Sequence, residues 1–365
     1  MSSCSIRLAG SYPEKLDGPM ISFRCSTNVR TLLADKRSFQ IVNDDGPPSQ
    51  KCSPYIFPLV KAFQDAGHLV SVAIPNSSRS WIGKAHLIGE LLKATYVLPE
   101  ALLGDAGSSV VPGNHDSNDL GRRRLQESGA GSWQHHEIST PDCVRKSNTD
   151  RRHWVVVNGT PAACAQLGIY SLFPDRGPVD LVVSGPNHGR NASTIYGLAS
   201  GTVGGALEAA TCGKKAIALS FASKDAQPPE VIQAAARLSV RLIEHLSARW
   251  PLEGVHLYNI NVPMRLDVEE RPIAYTSMLQ NSWSKFSLYK EADDSTVQPN
   301  DDHGNKKERQ TRYFKWAPEL SDIKRSVEMS HVGTDTYTVT NGCTSVTPLT
   351  ANFGHAPGFH GELQL

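Results

Sequence analysis

Phe39-Gln-Ile-Val42 runs directly into Asn43-Asp44-Asp45-Gly46, and this junction of an apolar run with an acidic turn decides the fold. The apolar run predicts a buried strand, which the Asp-Gly pair ends. Ser53-Pro54 is typical of a helix start, with apolar residues following at helical spacing up to Gly67. His68–Ile74 then predicts a second strand, so that a helix connects two parallel strands.

Strands and helices keep alternating as far as Pro263. This alternation predicts a doubly wound, Rossmann-like parallel α/β sheet, which binds ligands at the carboxyl ends of its strands. The predicted strands are Trp154–Val157, Val179–Val183, Ala216–Phe221 and His256–Val262, and the predicted helices are Pro161–Leu172, Thr202–Thr211 and Val231–Ser247.

Outside this alternation the composition changes several times. Residues 1–37 show no clear periodicity and predict a mobile N-terminal extension, ahead of one domain over 38–350 and a tail over 351–365. Polar stretches at about 100–150 and 290–312 predict surface insertions, because their composition cannot bury enough apolar area to order the chain.

A C-terminal β-hairpin extension is predicted from a turn signal near the end of the domain. Asn341-Gly342 separates two β-rich runs, Tyr337–Val339 and Thr344–Val346. An Asn-Gly pair between such runs favours a tight hairpin turn. A hairpin of this kind is marginal alone and needs a surface to cover its apolar face.

Composition excludes several classes of protein. The 365 residues are 39% hydrophobic and 20% charged, which is typical of a globular chain. A formal net charge of +1 gives no basis for a nucleic-acid duplex or an anionic membrane as partner, and no apolar run reaches the roughly 18 residues of a membrane span.

The seven cysteines form no CxxC pair and no zinc spacing, which favours reduced thiols in the cytoplasm. Glycosylation sequons start at Asn76, Asn158 and Asn191, beside the loops considered below. A glycan there would block those loops, and this also favours the cytoplasm.

Three polar loops follow predicted strands at one edge of the sheet. In the first, the neighbouring carboxylates of Asp44 and Asp45 repel each other unless a cation joins them, and hard oxygen ligands favour Mg²⁺, Mn²⁺ or Ca²⁺. An ordinary acidic turn is the alternative for these residues. In the second loop, Arg79 can bind phosphate and Ser80 offers a neutral oxygen ligand.

The third loop runs from Ser184 to Asn191 and continues to a small-residue segment, Ser200-Gly201-Thr202, that opens a helix. Backbone N–H groups at a helix start can bind a phosphate, and the helix dipole favours the anion. Close packing of the helix on the sheet also selects small residues and is the alternative. Convergence of three such loops on one sheet edge favours a site.

The ordered set of these motifs resembles the SurE family, a family of metal-dependent 5′/3′-nucleotidases and acid phosphatases. The resemblance covers about residues 38–98, 152–265 and 330–350. Its motifs are Asn43–Gly46, Arg79-Ser80, Asn158-Gly-Thr-Pro161, Asp180-Leu-Val-Val-Ser-Gly-Pro-Asn187-His-Gly-Arg-Asn191, Ser200-Gly-Thr-Val203 and Ser345-Val-Thr-Pro-Leu349. Pro47-Pro48 and Trp81-Ile82 depart from the usual pattern and are typical of larger eukaryotic members.

The resemblance implies one divalent metal, Mg²⁺ or Mn²⁺, bound by Asp44, Asp45, Ser80 and Asn187. It also implies that Asn43 and the turn of Ser200, Gly201 and Thr202 face the phosphate, with Asn43 and Asp44 as the catalytic residues. Ser184, Gly185 and Asn191 are further candidate phosphate-binding residues.

The expected reaction is hydrolysis of a small phosphate monoester, a nucleoside 5′- or 3′-monophosphate, by metal-activated water. Whether Asp44 also acts as general base or as nucleophile stays open, although adjacent carboxylates favour water over a phosphoaspartate. The alternatives are an inactive nucleotide- or metal-binding module and a nucleotide-sugar transferase. Relatives that exchange C-terminal segments imply a homodimer or higher oligomer, built partly by the hairpin.

Overall fold

The protein is described as a computed structural model, which defines residues 36–103, 153–251, 253–283, 288–292, 312–318 and 320–354. Nearly all of the predicted N-terminal extension lies outside these residues. The same is true of most of both predicted insertions and of the tail from residue 355 onward.

The elements of the first half of the fold begin with β1, whose carboxyl end carries the acidic turn. They are β1 (Ser38–Val42), α1 (Ile56–Asp65), β2 (Leu69–Pro75), β3 (Ala94–Val97), β4 (Trp154–Val157), α2 (Pro161–Tyr170), β5 (Leu181–His188), α3 (Thr194–Ala199) and α4 (Gly201–Thr211).

The second half completes the sheet and adds a small separate ribbon. Its elements are β6 (Lys215–Phe221), α5 (Pro229–Ala248), β7 (Leu257–Val262), β8 (Ile273–Tyr275), β9 (Tyr289–Glu291), β10 (Phe314–Trp316), α6 (Ser321–Glu328), α7 (Asp335–Thr340) and β11 (Thr344–Leu349).

Within the described residues nine strands form one sheet, in the order β3-β4-β2-β1-β5-β6-β7-β11-β8. The strands from β4 to β7 are parallel to their neighbours, whereas β3 pairs antiparallel with β4 and β11 with β7. The predicted doubly wound parallel sheet is confirmed. Since the chain leaves β1 toward β2 and later returns on its other side as β5, the switch point lies between β1 and β5.

The core has two halves, one on each face of the sheet. Strand β1 shows how the alternation divides them, since Phe39 and Ile41 belong to the cluster under α1 and α5 and Val42 belongs to the cluster under α2 and α4. Gln40 also points toward α2 and donates its amide to the Cys164 carbonyl at 3.0 Å. No helix of the described residues has the length and apolar character to cross a membrane.

The predicted C-terminal hairpin is wrong. Tyr337–Val339 belongs to α7, where the Thr334 hydroxyl caps the helix by accepting the Tyr337 N–H. Gly342, with φ of 73°, follows the helix end in the left-handed conformation typical of helix termination. The run at Thr344 is a strand, but it lies between β7 and β8 in the main sheet.

Two local predictions also change. Helix α1 begins at Ile56 rather than at Ser53-Pro54, and the Ser53 hydroxyl instead accepts from the Asn43 amide at 3.1 Å. Strand β5 continues past the predicted end at Val183 as far as His188, with a register shift against β6 between Ser184 and Asn187. That irregularity moves the polar residues after Ser184 to the sheet edge.

Candidate active site

The acidic turn at the end of β1 is held by Asn43. Its amide nitrogen donates to the Gly46 carbonyl at 2.8 Å and its amide oxygen accepts the Gly46 N–H at 3.2 Å. Gly46 has φ of 84°, and an added Cβ would lie 3.0 Å from the backbone of Ser77, so only glycine fits this contact between the two loops. In this structure Asn43 fixes the turn and does not line the pocket described below.

Asp44 is buried against the first turn of α4. The Thr202 hydroxyl donates to its Oδ1 at 2.5 Å, and the Arg79 N–H donates to its backbone carbonyl at 2.6 Å. An added Cβ on Gly201 would lie 2.8 Å from the Asp44 Cβ, which explains the glycine at the start of this helix. The carboxylate therefore lies at the positive end of the helix dipole.

Asp45 is bound to β5 on the other side of the switch point. Its Oδ2 accepts the His188 N–H at 2.7 Å. In the same segment the Asn187 amide donates to the Gly189 carbonyl at 2.6 Å, which leaves the Asn187 Oδ1 available as an oxygen ligand. Gly185 permits this course of the chain, because its φ is 128° and an added Cβ would overlap the Leu219 carbonyl.

Burial raises the pKa of both carboxyl groups. For Asp44, the hydrogen bonds from Thr202 and the charge of Lys224 act in the opposite direction. For Asp45, burial and the neighbouring charge of Asp44 together hold the pKa well above its usual range, against the His188 hydrogen bond and Lys224. Ionising both groups is therefore costly unless a cation lies between them.

The pocket at the switch point brings together residues from all three predicted loops. It has a volume of about 70 Å³ and opens to solvent. Its lining residues are Asp44, Ser80, Trp81, Asn187, Arg190, Asn191, Tyr196, Ala199, Ser200 and Lys224.

Three further predicted residues differ in their place relative to the pocket, since Asn191 and Ser200 line it and Ser184 does not. The Ser184 hydroxyl is buried against α4, where an added Cβ on Gly205 would lie 2.6 Å from it. Asn191 lines the pocket, although its backbone N–H donates to Asn261 and its amide donates to Ser220 at 2.9 Å. The hydroxyl of Ser200 accepts the Val203 N–H and caps α4.

Comparison with known proteins agrees with this geometry. A sequence model of the family described as Survival protein SurE matches residues 39–285, which is more than half of the chain. The chain belongs to the SurE family. The resemblance seen in the ordered motifs is confirmed.

Similar proteins occur in bacteria, an archaeon and yeast. A protein named 5′-nucleotidase SurE from Rhodopirellula baltica is 30% identical over 231 residues, which are 62% of this chain and 79% of that one. Its namesake from Archaeoglobus fulgidus is 29% identical over 62% of this chain and 77% of that one.

A protein from Saccharomyces cerevisiae, named probable tubulin–tyrosine ligase PBY1, is 32% identical over 340 residues. The match covers 89% of this chain but 42% of the yeast protein, so the chain spans less than half of that relative. A crystal structure of the SurE protein from Aquifex aeolicus superposes with a TM-score of 0.53 at 23% identity, over 87% of this chain and 94% of that one, and supports the fold.

The residues that the SurE resemblance implies as metal ligands fit a hard divalent cation. No group of three or more His, Cys, Asp or Glu side chains suited to a metal occurs among the described residues, and the implied donors are two carboxylates and two neutral oxygens. Asp44, Ser80 and Asn187 line one pocket, whereas Asp45 does not line it and accepts the N–H of His188, the residue that follows Asn187. A divalent cation would also offset the cost of two buried carboxylates.

Two cationic residues of the pocket were missed from the sequence. Lys224 follows β6, and its stem crosses Gly189, where an added Cβ would lie 2.6 Å from the lysine Cε. Arg190 lies in the third loop but was not assigned a role. The signal for Lys224 was its place directly after a parallel strand, at the edge where ligands bind.

Proposed function

We propose that the chain hydrolyses phosphate monoesters, with nucleoside 5′- or 3′-monophosphates as substrates, and that it requires one divalent cation, Mg²⁺ or Mn²⁺. The observation that carries the proposal is the pair of buried carboxylates, Asp44 and Asp45, at the switch point beside Lys224 and Arg190. The names of the bacterial and archaeal relatives support the substrate class.

Asp44, Asp45, Ser80 and Asn187 would hold the cation. The chemistry that a bound divalent cation supplies is neutralisation of phosphoryl charge and a lowered pKa for water. The protein's own contribution is to fix the geometry, because Thr202 and His188 each hold one of the two carboxylates in place.

The phosphate is expected on the side of the pocket that carries Ser200, Arg190 and Lys224. The positively charged side chains of Arg190 and Lys224 would bind the equatorial oxygens of the phosphate and stabilise the charge of the transition state. Asn43 would act here through the turn it holds, since both ends of its amide are engaged with Gly46. Substrate positioning by fixed donors lowers the barrier because little reorganisation is needed.

The inactive binding module stays as the alternative and predicts binding without turnover. Purified chain is assayed with p-nitrophenyl phosphate before and after treatment with EDTA, and again after Mg²⁺ or Mn²⁺ is restored. We expect activity that EDTA removes and the cation restores, and that Asp44→Asn and Asp45→Asn remove nearly completely while far-ultraviolet circular dichroism is unchanged. Full activity in either variant, or after metal stripping, contradicts the proposal.

A cytoplasmic location and a homodimer or higher oligomer stay predictions. The hairpin expected to mediate the oligomer does not form, since its first strand is part of α7. Sedimentation of the full chain tests the oligomer directly, and a monomer would contradict it.

A further inference from the structure

We propose that a cluster of five aromatic side chains beside the acidic pocket binds the nucleobase of the substrate by stacking and does not read which base it is. The members of this aromatic cluster are Trp81, Tyr196, Trp283, Tyr289 and Trp316. The inference rests on the proposed hydrolysis of nucleotides, and it adds where the leaving group lies and how it is selected.

Trp81 is the centre of the cluster. Its ring centroid lies 5.2 Å from that of Trp316 at 62°, 5.9 Å from that of Tyr196 at 62°, and 6.5 Å from that of Trp283 at 30°. Tyr289 extends the cluster through Trp316, with centroids 5.4 Å apart. These are the edge-to-face and tilted arrangements that aromatic rings prefer.

The backbone of Trp81 is unusual for so large a residue. Its φ of 64° lies in the left-handed region, which a bulky side chain rarely adopts. Such a conformation persists where the surroundings fix it, and it occurs often at ligand sites. Here it follows Ser80 directly, so the chain places a candidate metal ligand and the central indole in successive positions.

A cleft of about 810 Å³ lies against the aromatic cluster. It shares Ser80, Trp81 and Ala199 with the acidic pocket, so a molecule with its phosphate beside Ser200 can reach the aromatic rings without leaving the protein surface. The remaining apolar lining comes from Ile195, Leu198 and Leu288. Trp81 and Trp316 are 37% and 44% exposed, which leaves area for a base to cover.

Among the described residues that line this cleft, the side-chain amide that could read a base edge belongs to Asn281 and is already engaged. Asn281 donates its amide nitrogen to the hydroxyls of Ser193 and Ser326, both at 3.1 Å, and its Oδ1 accepts the Ile195 N–H at 2.9 Å. Discrimination between bases needs free donors and acceptors, whereas stacking tolerates every base. The cluster should therefore favour purines for their larger face and distinguish adenine from guanine only weakly.

The test separates base binding from phosphate chemistry. For Trp316→Ala, KM for adenosine 5′-monophosphate should rise about tenfold, the scale of one lost stacking contact, while KM for ribose 5-phosphate stays within about twofold. Trp316→Phe should restore KM for adenosine 5′-monophosphate most of the way to the wild-type value. Phe353→Ala removes a ring that is 96% exposed and lies outside the cluster, and it should change KM for neither substrate. Trp283→Ala repeats the comparison if Trp316→Ala does not fold.

Quenching of tryptophan fluorescence by free nucleosides provides the second readout, since nucleosides carry no phosphate ester and cannot be turned over. Adenosine and guanosine should quench alike and more strongly than cytidine. Equal losses on both phosphate substrates, absence of quenching, or a strong preference for one purine would overturn the stacking site. Quenching without hydrolysis of any ester by the wild-type chain would instead refute the proposed function and leave the base site standing.

Discussion

Thr202 and Asp44 are 158 residues apart in the sequence, yet the Thr202 hydroxyl donates to the Asp44 Oδ1 at 2.5 Å in the buried base of the pocket. The contact joins the end of β1 to the start of α4. It fixes one face of the carboxylate, and it lowers the cost of keeping that group charged where burial opposes the charge.

Removing this hydroxyl should reduce both activity and stability. Thr202→Val keeps the shape of the side chain but removes a hydrogen-bond donor to a buried carboxylate. We therefore expect kcat to fall by about tenfold or more and the free energy of unfolding to fall by about 1–3 kcal/mol. Thr202→Ser keeps the hydroxyl and should retain most of the activity. Steady-state kinetics and thermal melts measure both effects, and equal activity in the two variants would contradict the role of the hydroxyl.

Binding of the cation should stabilise the fold through Asp45. A ligand that binds only the native state at 100 times its Kd adds about 2.7 kcal/mol, which calorimetry detects easily. We expect Mn²⁺ to raise the melting temperature of the wild-type chain and EDTA to lower it. Asp45→Asn should melt at the same temperature with either addition, and a metal-dependent shift retained in that variant would exclude Asp45 as a ligand.

The fold could be predicted largely from the sequence, because buried parallel strands and amphipathic helices have distinct apolar periodicities. The parallel pairing of the strands between β4 and β7 follows from that alternation, whereas their order in the sheet does not. The C-terminal error has a local cause. Asn341-Gly342 is typical both of a hairpin turn and of a helix end. The helix forms here because the buried Asp335, in its first turn, accepts hydrogen bonds from the N–H groups of Ser193 and Leu279.

The candidate site could be predicted only in part. Asp44 and Ser80 follow strands and Asn187 lies near the end of β5, all at the carboxyl edge of the sheet, so a simple rule brings them together. The aromatic cluster had no such signal, since Trp283 and Trp316 lie in segments without periodicity and meet Trp81 only through tertiary packing.

Gly204 should tolerate no side chain, although it lies inside α4. An added Cβ would be 2.1 Å from the Gly83 carbonyl, in the loop that carries Ser80 and Trp81. At an unobstructed helix position Gly→Ala raises the free energy of unfolding by up to about 1 kcal/mol. A decrease for Gly204→Ala would therefore indicate that the Gly83 carbonyl obstructs the added side chain. We expect Gly204→Ala to destabilise by about 1–3 kcal/mol and to lower activity by displacing the loop.

Gly354→Ala is the control for that variant, because nothing lies within 4 Å of its added Cβ. Its melting temperature should match the wild type. A stabilised Gly204→Ala would show that the loop moves aside at no cost.

Glu208 should stabilise the fold only above acidic pH. Burial alone raises the pKa of Glu208, but Lys84 at 2.7 Å and His86 at 3.3 Å outweigh burial, so the pKa of this carboxyl is lowered. The ionised Glu208 carboxyl therefore stabilises the fold at pH values above its unfolded pKa near 4.5. This stabilisation is lost as the pH falls through the lower pKa that the carboxyl has in the folded state. Because both partners are about one-third exposed, we expect Glu208→Gln to cost about 1 kcal/mol at pH 7.

Thermal melts of Glu208→Gln and wild type between pH 3 and pH 7 measure that dependence. The difference between the two should shrink below about pH 4.5, where the wild-type carboxyl gains its proton. A difference that is constant across this range would mean that the ion pairs contribute nothing and that shape alone explains the loss.

Truncation after Ser330 should destroy the fold rather than only separate subunits. It removes β11, which pairs over Ser345–Leu349 with β7 on one side and over Thr344–Val346 with β8 on the other. Loss of an interior strand exposes the ladder edge of β7 and leaves β8 without its partner, so we expect loss of cooperative melting and aggregation. Truncation after Gly354 keeps β11 and serves as the matched control, with near wild-type melting expected. A cooperative transition in the shorter chain would show that β11 is dispensable and would reopen an exchangeable C-terminal segment.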